Sequence, residues 1–464
     1  MPAVPVVPRA SDSKRQGSVS PARVCAFAVL RRVFEEGAWA DRALQSETSQ
    51  LDLTPRDRGL ATQLAYGAVQ RRAPLDHLAA ELAGRPVELL EPGTLAALRL
   101  GLFQLAYLDR APAHAVVGES VELAKRSTRG GSGLVNAVLR RATREARGIL
   151  AALDDSTPRS AALFHSHPEW MVSLWWEALG PQETRALLAA NNRAAESALR
   201  ANRLRIDPQA LLDGLGTPGR CGRAAGLPEI DEAIVLDGAF DAHGSSQWTR
   251  GELMPQSRAA MAVSHLLDPR PGDRVLDLCA APGGKTTHLA ALMGDRGEIV
   301  AIERHPGRAA ALRRTADRMG AAIVSVREAD AAGIHEPAGY DRVLVDPPCT
   351  DLGTLRSRPD ARWRKTAEQP ARLATLQGAI LRAGAAALRA GGTLVYSTCT
   401  ISPLENEGVV NAFLSENASF EADDLQAEMP VWKHPGVPRH LQTLPHRDAT
   451  DGFFIARLRR RGDA

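Results

Sequence analysis

From about Arg250 onward, short apolar runs alternate with amphipathic stretches, and few folds accommodate that alternation. "DRVLDLC", "GEIVAIE", "AIVSV", "YDRVLVD" and "GTLVYST" have strand length. Helical patterns separate them through "KTTHLAALM", "GRAAALRRTADRMG" and "ARLATLQGAILRAGAAALRAG", and "NEGVVNAFLSE" leads to a last strand, "FFIARL". Strands this apolar need cover on both faces, so residues 251–464 are expected to form a mainly parallel sheet with helices on either side. That is a doubly wound α/β domain.

The chain has 464 residues, too many for one ordinary core. Residues 1–20 are rich in Pro, Ser, Arg and Lys without periodicity and read as a disordered arm. Over 21–150 the period is helical: Val24, Phe27, Leu30 and Val33 form one stripe, Leu95, Leu98, Leu102 and Leu105 another. Gly93 and Thr94 mark a helix start and Pro112 an end. This segment is expected to be an all-helical bundle whose basic residues, Arg71 and Arg72 among them, lie on polar faces or near helix ends. Residues 151–250 mix helical stretches with short alternating runs such as "ALRANRLRI" and "EAIVL", as a small α+β connector would. His165 and His167 in "HSHPEW" have no further ligands nearby, so a helix start near Pro168 is expected there and no metal.

Composition excludes some classes. A 44% apolar and 24% charged chain is globular, and a net charge of +3 permits a polyanionic partner without demanding one. Cys25, Cys221, Cys279, Cys349 and Cys399 are scattered, without a CxxC pair, which argues against a disulfide framework and a zinc site. Prolines interrupt the apolar N-terminus, and no run approaches a membrane-spanning length. A cytoplasmic protein, monomeric and without membrane or obligate protein partner, is expected.

"LDLCAAPGGKTTHLAALM" centres on Gly283, Gly284, Lys285 and Thr286, which look like the end of a phosphate loop. A Walker A loop needs its first glycine where Cys279 stands, and the three-glycine dinucleotide fingerprint is also missing. What remains is a loop of small residues, Ala280, Ala281, Pro282, Gly283 and Gly284, between the first strand and its helix. Cofactors generally bind at that carboxyl edge, and small residues let the backbone approach them. Glu303 ends the second strand about twenty residues later, the spacing at which a carboxylate accepts from ribose hydroxyls. Asp330, after the third, can accept from an adenine amino group. Together these describe S-adenosylmethionine better than a nucleotide polyphosphate.

"VLVDPPCTD" puts Asp346, Pro347, Pro348 and Cys349 at the end of the fourth strand, and "LVYSTCTISPLENE" puts Cys399 just past the next. Both thiols should face one cleft. Methyl transfer to cytosine C5 requires prior attack at C6 by a soft nucleophile, for which thiolate is suited, and a second mobile-proton group helps afterwards. A lone free cysteine is commonly a buried small hydrophobe, but two in Pro-rich turns beside a cofactor loop fit this chemistry better.

"DLCAAPGGKT", "DPPC", "STCTISPLENE" and "DGFFIARL" resemble the RNA cytosine-5 methyltransferase family, which has a Rossmann-like class I methyltransferase domain. "LTPRDRGLATQLAYGAVQRRAPLDHLA", "RLGLFQLAYLDRAPAHAVVGESVELAK" and "GLVNAVLRR" resemble the NusB-like RNA-binding fold. Combined, they resemble the RsmB (Fmu/Sun) type of 16S rRNA methyltransferase, whose usual target is cytosine 967. The resemblance implies that Cys399 is the nucleophile and Cys349 assists product release. It implies cofactor contacts from Cys279, Ala280, Ala281, Pro282, Gly283, Gly284, Lys285, Glu303, Asp330 and Asp346. Asp346 could instead bond the cytosine edge, and Lys285 could act electrostatically. Two departures stand out: Glu303 replaces a frequent Asp, and "GELMPQSRAAM" leaves the role of Gln256 open.

Arg356, Arg358, Arg362, Arg364 and Lys365 follow Cys349 closely, and a charge run adjoining a cytosine site is expected to bind RNA phosphates. The substrate implied is 16S rRNA with an unpaired or flipped cytosine. Two other readings stay open: the same chemistry on tRNA or 23S rRNA, and a non-catalytic, antitermination-like RNA-binding protein with a silent methyltransferase fold.

Overall fold

The computed structural model describes residues 19–109, 111–222 and 230–462; most of the expected N-terminal arm lies outside them. The described chain divides into two compact units, one ending at Glu169 and the other beginning at Trp170.

The first unit is helical, built on α1 (Pro21–Glu35), α2 (Ala40–Gln50), α3 (Pro55–Gln70), α4 (Arg72–Ala83), α5 (Pro92–Tyr107), α6 (Ala113–Ser127) and α7 (Ser132–Ala151). Proline opens α1, α3 and α5, where its missing N–H costs nothing. The one-stripe expectation for α5 is corrected: Leu98 and Leu102 are buried, but so are Ala97, Leu100 and Phe103 around the helix. It runs through the middle of the bundle, whereas α1 keeps a single buried stripe that includes Phe27, Leu30 and Val33. The punctuation holds within two residues: α5 runs from Pro92 to Tyr107, and Pro112 lies beyond its end, at the cap of α6. Arg71 and Arg72 are spent on packing over the Tyr107 and Phe34 rings, 5.1 and 5.3 Å from their centroids. Further along, His165 Nε2 meets Asp155 Oδ2 at 3.0 Å and His167 Nδ1 meets the His165 carbonyl at 2.8 Å.

The second unit holds two sheets. The smaller is antiparallel, ordered β2-β3-β1-β4 from β1 (Ser197–Ala201), β2 (Gly219–Cys221), β3 (Ala233–Leu236) and β4 (Leu253–Pro255). Gln256, just past β4, accepts from the buried Arg200 Nε at 2.9 Å and so satisfies a buried donor.

The larger sheet comprises β5 (Arg274–Leu278), β6 (Glu298–Ile302), β7 (Val324–Arg327), β8 (Tyr340–Val345), β9 (Leu388–Thr398), β10 (Phe420–Ala422), β11 (Leu441–Gln442) and β12 (Phe454–Arg460). Its main order is β10-β12-β9-β8-β5-β6-β7, with β11 beside β12. The five strands from β9 to β7 are parallel, and β12 and β10 extend the sheet antiparallel. The chain runs outward from β5 through β6 and β7, then returns to β5's other side with β8. That reversal opens a crevice at the carboxyl ends of β5 and β8, the general ligand position in such sheets. No described helix is long and apolar enough to cross a membrane.

Candidate active site

The loop after β5 is shaped by backbone. Cys279 and Gly283 have positive φ, 70° and 102°, and the Ala281–Pro282 peptide is cis. Ala280 N–H donates to the Ile302 carbonyl at 2.9 Å, pinning the loop to the end of β6. A Cβ at Gly283 would lie 2.7 Å from Leu312 Cδ1, so conformation and space both require glycine. Below the loop, Thr286 Oγ1 donates to Asp277 Oδ2 at 2.7 Å. Burial, with Asp346 adding to it, pushes the Asp277 carboxyl up to about 7 despite that bond and nearby Lys285.

Each further strand end contributes a polar group. Glu303, after β6, is buried and accepts from His305 N–H at 2.9 Å, with Arg308 Nε 3.4 Å from its other oxygen. Asp330, after β7, is exposed and accepts from Ala332 N–H at 3.1 Å. Asp346, after β8, takes Lys285 Nζ at 2.8 Å on one oxygen and Ser397 Oγ at 2.9 Å on the other. Burial pulls Lys285 down, but Asp346 more than offsets it, so the ammonium stays charged.

Cys349 follows β8 and Cys399 follows β9. Their sulfurs are 3.3 Å apart. A buried clamp holds the two loops together: Glu405 accepts from Thr350 N–H at 2.9 Å and from Gln377 Nε2 at 3.0 Å, and Thr350 Oγ1 meets Thr400 Oγ1 at 2.7 Å. Asn406 accepts from Thr398 Oγ1 at 2.6 Å and donates to the Thr400 carbonyl at 3.1 Å, bracketing Cys399. Gly353 N–H donates to the Cys399 carbonyl at 2.9 Å, and its own carbonyl receives Gly452 N–H at 2.8 Å. A Cβ on Gly353 would fall 1.8 Å from the Gly452 oxygen, so this approach needs glycine. The tail of "STCTISPLENE" and the glycine of "DGFF" therefore build the thiol loops; sequence reading quoted both stretches and assigned neither.

Neither thiol is ionised at rest. The bond to Cys399 pulls Cys349 down, but burial and the charges of Asp351 and Glu405 leave it raised. Cys399 is raised well above the ordinary thiol range, first by its hydrogen bond to Cys349, then by burial and the charge around it. Asp351 was also missed: Cys399 Sγ donates to its Oδ1 at 3.2 Å, while Lys365 Nζ holds its Oδ2 at 2.9 Å.

The basic segment behaves differently from expectation. Arg362 is corrected: it is 0% exposed, its guanidinium donating to Asn192 Oδ1, the Asn191 carbonyl and the Leu355 carbonyl, so no phosphate can reach it. Arg364 Nε pairs with buried Asp360 at 3.1 Å, Lys365 with Asp351, and half-buried Arg356 donates to the Ala194 carbonyl. Arg358 alone of the five is exposed.

The loop and strand-end carboxylates fit S-adenosylmethionine: Glu303 combines a buried carboxylate with spare lone pairs, and the loop above it presents backbone rather than side chains. The sheet with this loop at its switch point defines an S-adenosylmethionine-dependent methyltransferase. Residues 264–459 match the 16S rRNA methyltransferase RsmB/F family, 20–144 the NusB family, and 167–243 the ferredoxin-like domain of RsmF/B-like methyltransferases. A Bacillus subtilis protein, "probable ribosomal RNA small subunit methyltransferase B", is 36% identical over 95% of this chain and 99% of its own. The Pseudomonas putida "ribosomal RNA small subunit methyltransferase B" is 34% identical over 94% and 98%. The crystal structure of PH0851 superimposes with a TM-score of 0.81 at 25% identity, covering 95% of this chain and 99% of that one. The chain belongs to the RsmB-type family of ribosomal RNA small subunit methyltransferases.

Proposed function

We propose that this protein methylates C5 of one cytosine in 16S rRNA, cytosine 967 by the family resemblance, through a covalent bond between Cys399 and C6. The observation that carries this reading is the pair of thiols 3.3 Å apart at the mouth of the cofactor loop. One sulfur adds to C6 and makes C5 nucleophilic; the other, Cys349, assists expulsion of the finished base. Bound S-adenosylmethionine supplies the electrophilic methyl group. Cys279 through Lys285, Glu303 and Asp330 would hold it, with Asp346 placed to serve cofactor or cytosine. Lys285 adds positive charge beside the reacting base. A paired cytosine cannot reach a sulfur at the bottom of such a crevice, so the target is unpaired or flipped, with Arg358 on a neighbouring phosphate.

The test is transfer of labelled methyl from S-adenosylmethionine to unmodified 16S rRNA, with the product base identified. Methylcytosine from the intact protein and none from Cys399→Ala supports the reading. Retained activity in Cys399→Ala reverses the cysteine roles. Labelling of tRNA or 23S rRNA instead moves the substrate, and no labelling of any RNA favours a silent fold.

A further inference from the structure

Attack by Cys399 poses a question of proton balance. The sulfur is a thiol at rest, raised by its neighbours, and it must shed a proton as it bonds to carbon. We propose that Asp351 is a catalytic residue that takes the Cys399 thiol proton during attack and returns it when the base is released. This deepens the functional reading above and rests on it.

The geometry singles out this carboxylate. Asp351 Oδ1 lies 3.2 Å from Cys399 Sγ and 3.8 Å from Cys349 Sγ. The other two acids around the thiols are occupied. Asp346 is bonded by Lys285 and Ser397. Glu405 is 0% exposed and spent on Thr350 and Gln377. Asp351 also sits on a constrained backbone: its φ is 57°, and Thr354 N–H donates to its carbonyl at 3.0 Å. Aspartate tolerates this left-handed conformation better than most residues. Lys365 Nζ fixes the far oxygen at 2.9 Å, which leaves Oδ1 turned to the sulfur. The carboxylate is a quarter exposed, so a proton held there stays beside the sulfur without being locked in a dry core.

In attack, the Cys399 S–H bond breaks, the proton passes to Asp351 Oδ1, and the sulfur pair forms the S–C6 bond. The C5=C6 electron pair moves into the ring, which carries the negative charge until C5 takes the methyl group. In release, the Cys349 thiol takes the C5 proton as it passes its own to water, C5=C6 re-forms, the S–C6 bond breaks, and the departing thiolate recovers its proton from Asp351. A carboxylate already holding the thiol proton cannot also accept the one from C5, so the two protons travel separately.

The test uses the full-length protein and its Asp351→Asn variant. Each reacts with S-adenosylmethionine and 16S rRNA containing 5-fluorocytidine, where fluorine in place of the C5 proton blocks release and traps the adduct. The adduct is mapped by mass spectrometry and its rate followed with pH. The expected result is a wild-type adduct on Cys399 forming at a nearly flat rate from pH 7 to 9. In the variant it forms about 10²-fold slower at pH 7, the scale of losing a general base. Its rate should climb about tenfold per pH unit as hydroxide substitutes for the carboxylate. A second readout needs no cofactor or RNA. Iodoacetamide alkylation of Cys399 should reach its midpoint at lower pH in the variant, because a negative charge beside the sulfur is gone. A damaged fold would also ease ionisation of Cys399, because burial is part of what raises it, but it would ease Cys279 with it; in the variant the shift does not extend to Cys279. The titratable groups facing Asp351 are Cys349, Cys399, Lys365 and Glu405, with Lys285 and Asp346 beyond the sulfur, and all remain in the variant. Equal adduct rates and parallel pH profiles, with the adduct still on Cys399, overturn the role of Asp351 and leave the functional reading intact. A wild-type adduct on Cys349, or none, overturns that reading and this inference with it.

Discussion

Two neighbouring stretches, the carboxyl edge of the parallel strands and the basic segment after Cys349, are both dense in polar side chains, but only the edge gathers them. At the edge Glu303, Asp346, Cys349 and Cys399 each leave a strand whose direction the sheet dictates, and two sulfurs fifty residues apart in sequence meet at 3.3 Å. In the basic segment no strand sets direction, and most charges find partners inside: Arg362 is buried, Arg364 takes Asp360, and Lys365 takes Asp351. Register on a strand therefore tells where a side chain goes, and the number of charges in a loop does not.

The largest expected effect tests the edge. Cys399→Ala should lower methyl transfer by at least about 10⁴-fold, the scale of removing a nucleophile. Cys349→Ala should instead leave protein covalently joined to RNA, seen as a shifted band on a denaturing gel. If the two variants exchange these phenotypes, position at the edge does not assign role.

The second test addresses the basic segment. Arg362→Met removes a buried guanidinium and the hydrogen bonds it donates to Asn192 and Leu355, so the folded state should lose about 3 kcal/mol in denaturant titration. RNA affinity of the protein that remains folded should not change. Lost affinity at unchanged stability would make Arg362 a phosphate contact after all and erase the contrast.

This contrast also explains what sequence could and could not disclose. The alternation of apolar strands and helices carried the doubly wound sheet, because a strand buried on both faces has no polar alternative. "DLCAAPGG" and the two cysteines were legible because chemistry restricts those positions to few residue types. Asp351 and Glu405 were not, although both lie inside quoted motifs. Their roles come from contacts between segments about fifty residues apart, which periodicity cannot register. The all-round burial of α5 was hidden likewise: Arg99 and Gln104 interrupt its apolar run, yet both are buried and Arg99 is paired with Asp76 at 2.7 Å inside the bundle.

A smaller effect concerns the acid beneath the edge. The Asp277 carboxyl is raised to about 7 in the folded protein, against about 3.9 unfolded. The folded state then binds the extra proton between those values, so this group's contribution is complete below about pH 4 and is lost as pH rises through 7. Asp277→Asn carries no such proton. The stability difference between wild type and variant should change by up to about 1.4 kcal/mol per pH unit across that window, the wild type losing ground as pH rises. Parallel stability curves would mean that Asp277 is ionised in the fold, and that buried position at the edge does not set charge.

The smallest effect falls on Arg358, the exposed member of the basic segment. Its loss removes no internal contact seen for its neighbours, so Arg358→Ala should leave stability within about 0.5 kcal/mol. If its guanidinium meets one phosphate, the slope of log affinity against log salt should become shallower by about 0.7 to 0.9, the value of one released counterion. Affinity at a single salt concentration would move only a few-fold and could be mistaken for noise, which is why the slope is the quantity to measure. Measured beside Arg362→Met, the pair separates two functions that a run of arginines makes look identical: one residue alters salt dependence at constant stability, the other stability at constant salt dependence. An unchanged slope for Arg358→Ala would take the segment out of RNA binding altogether and leave it as scaffolding for the thiol loops, with Lys365 on Asp351 as its link to the chemistry.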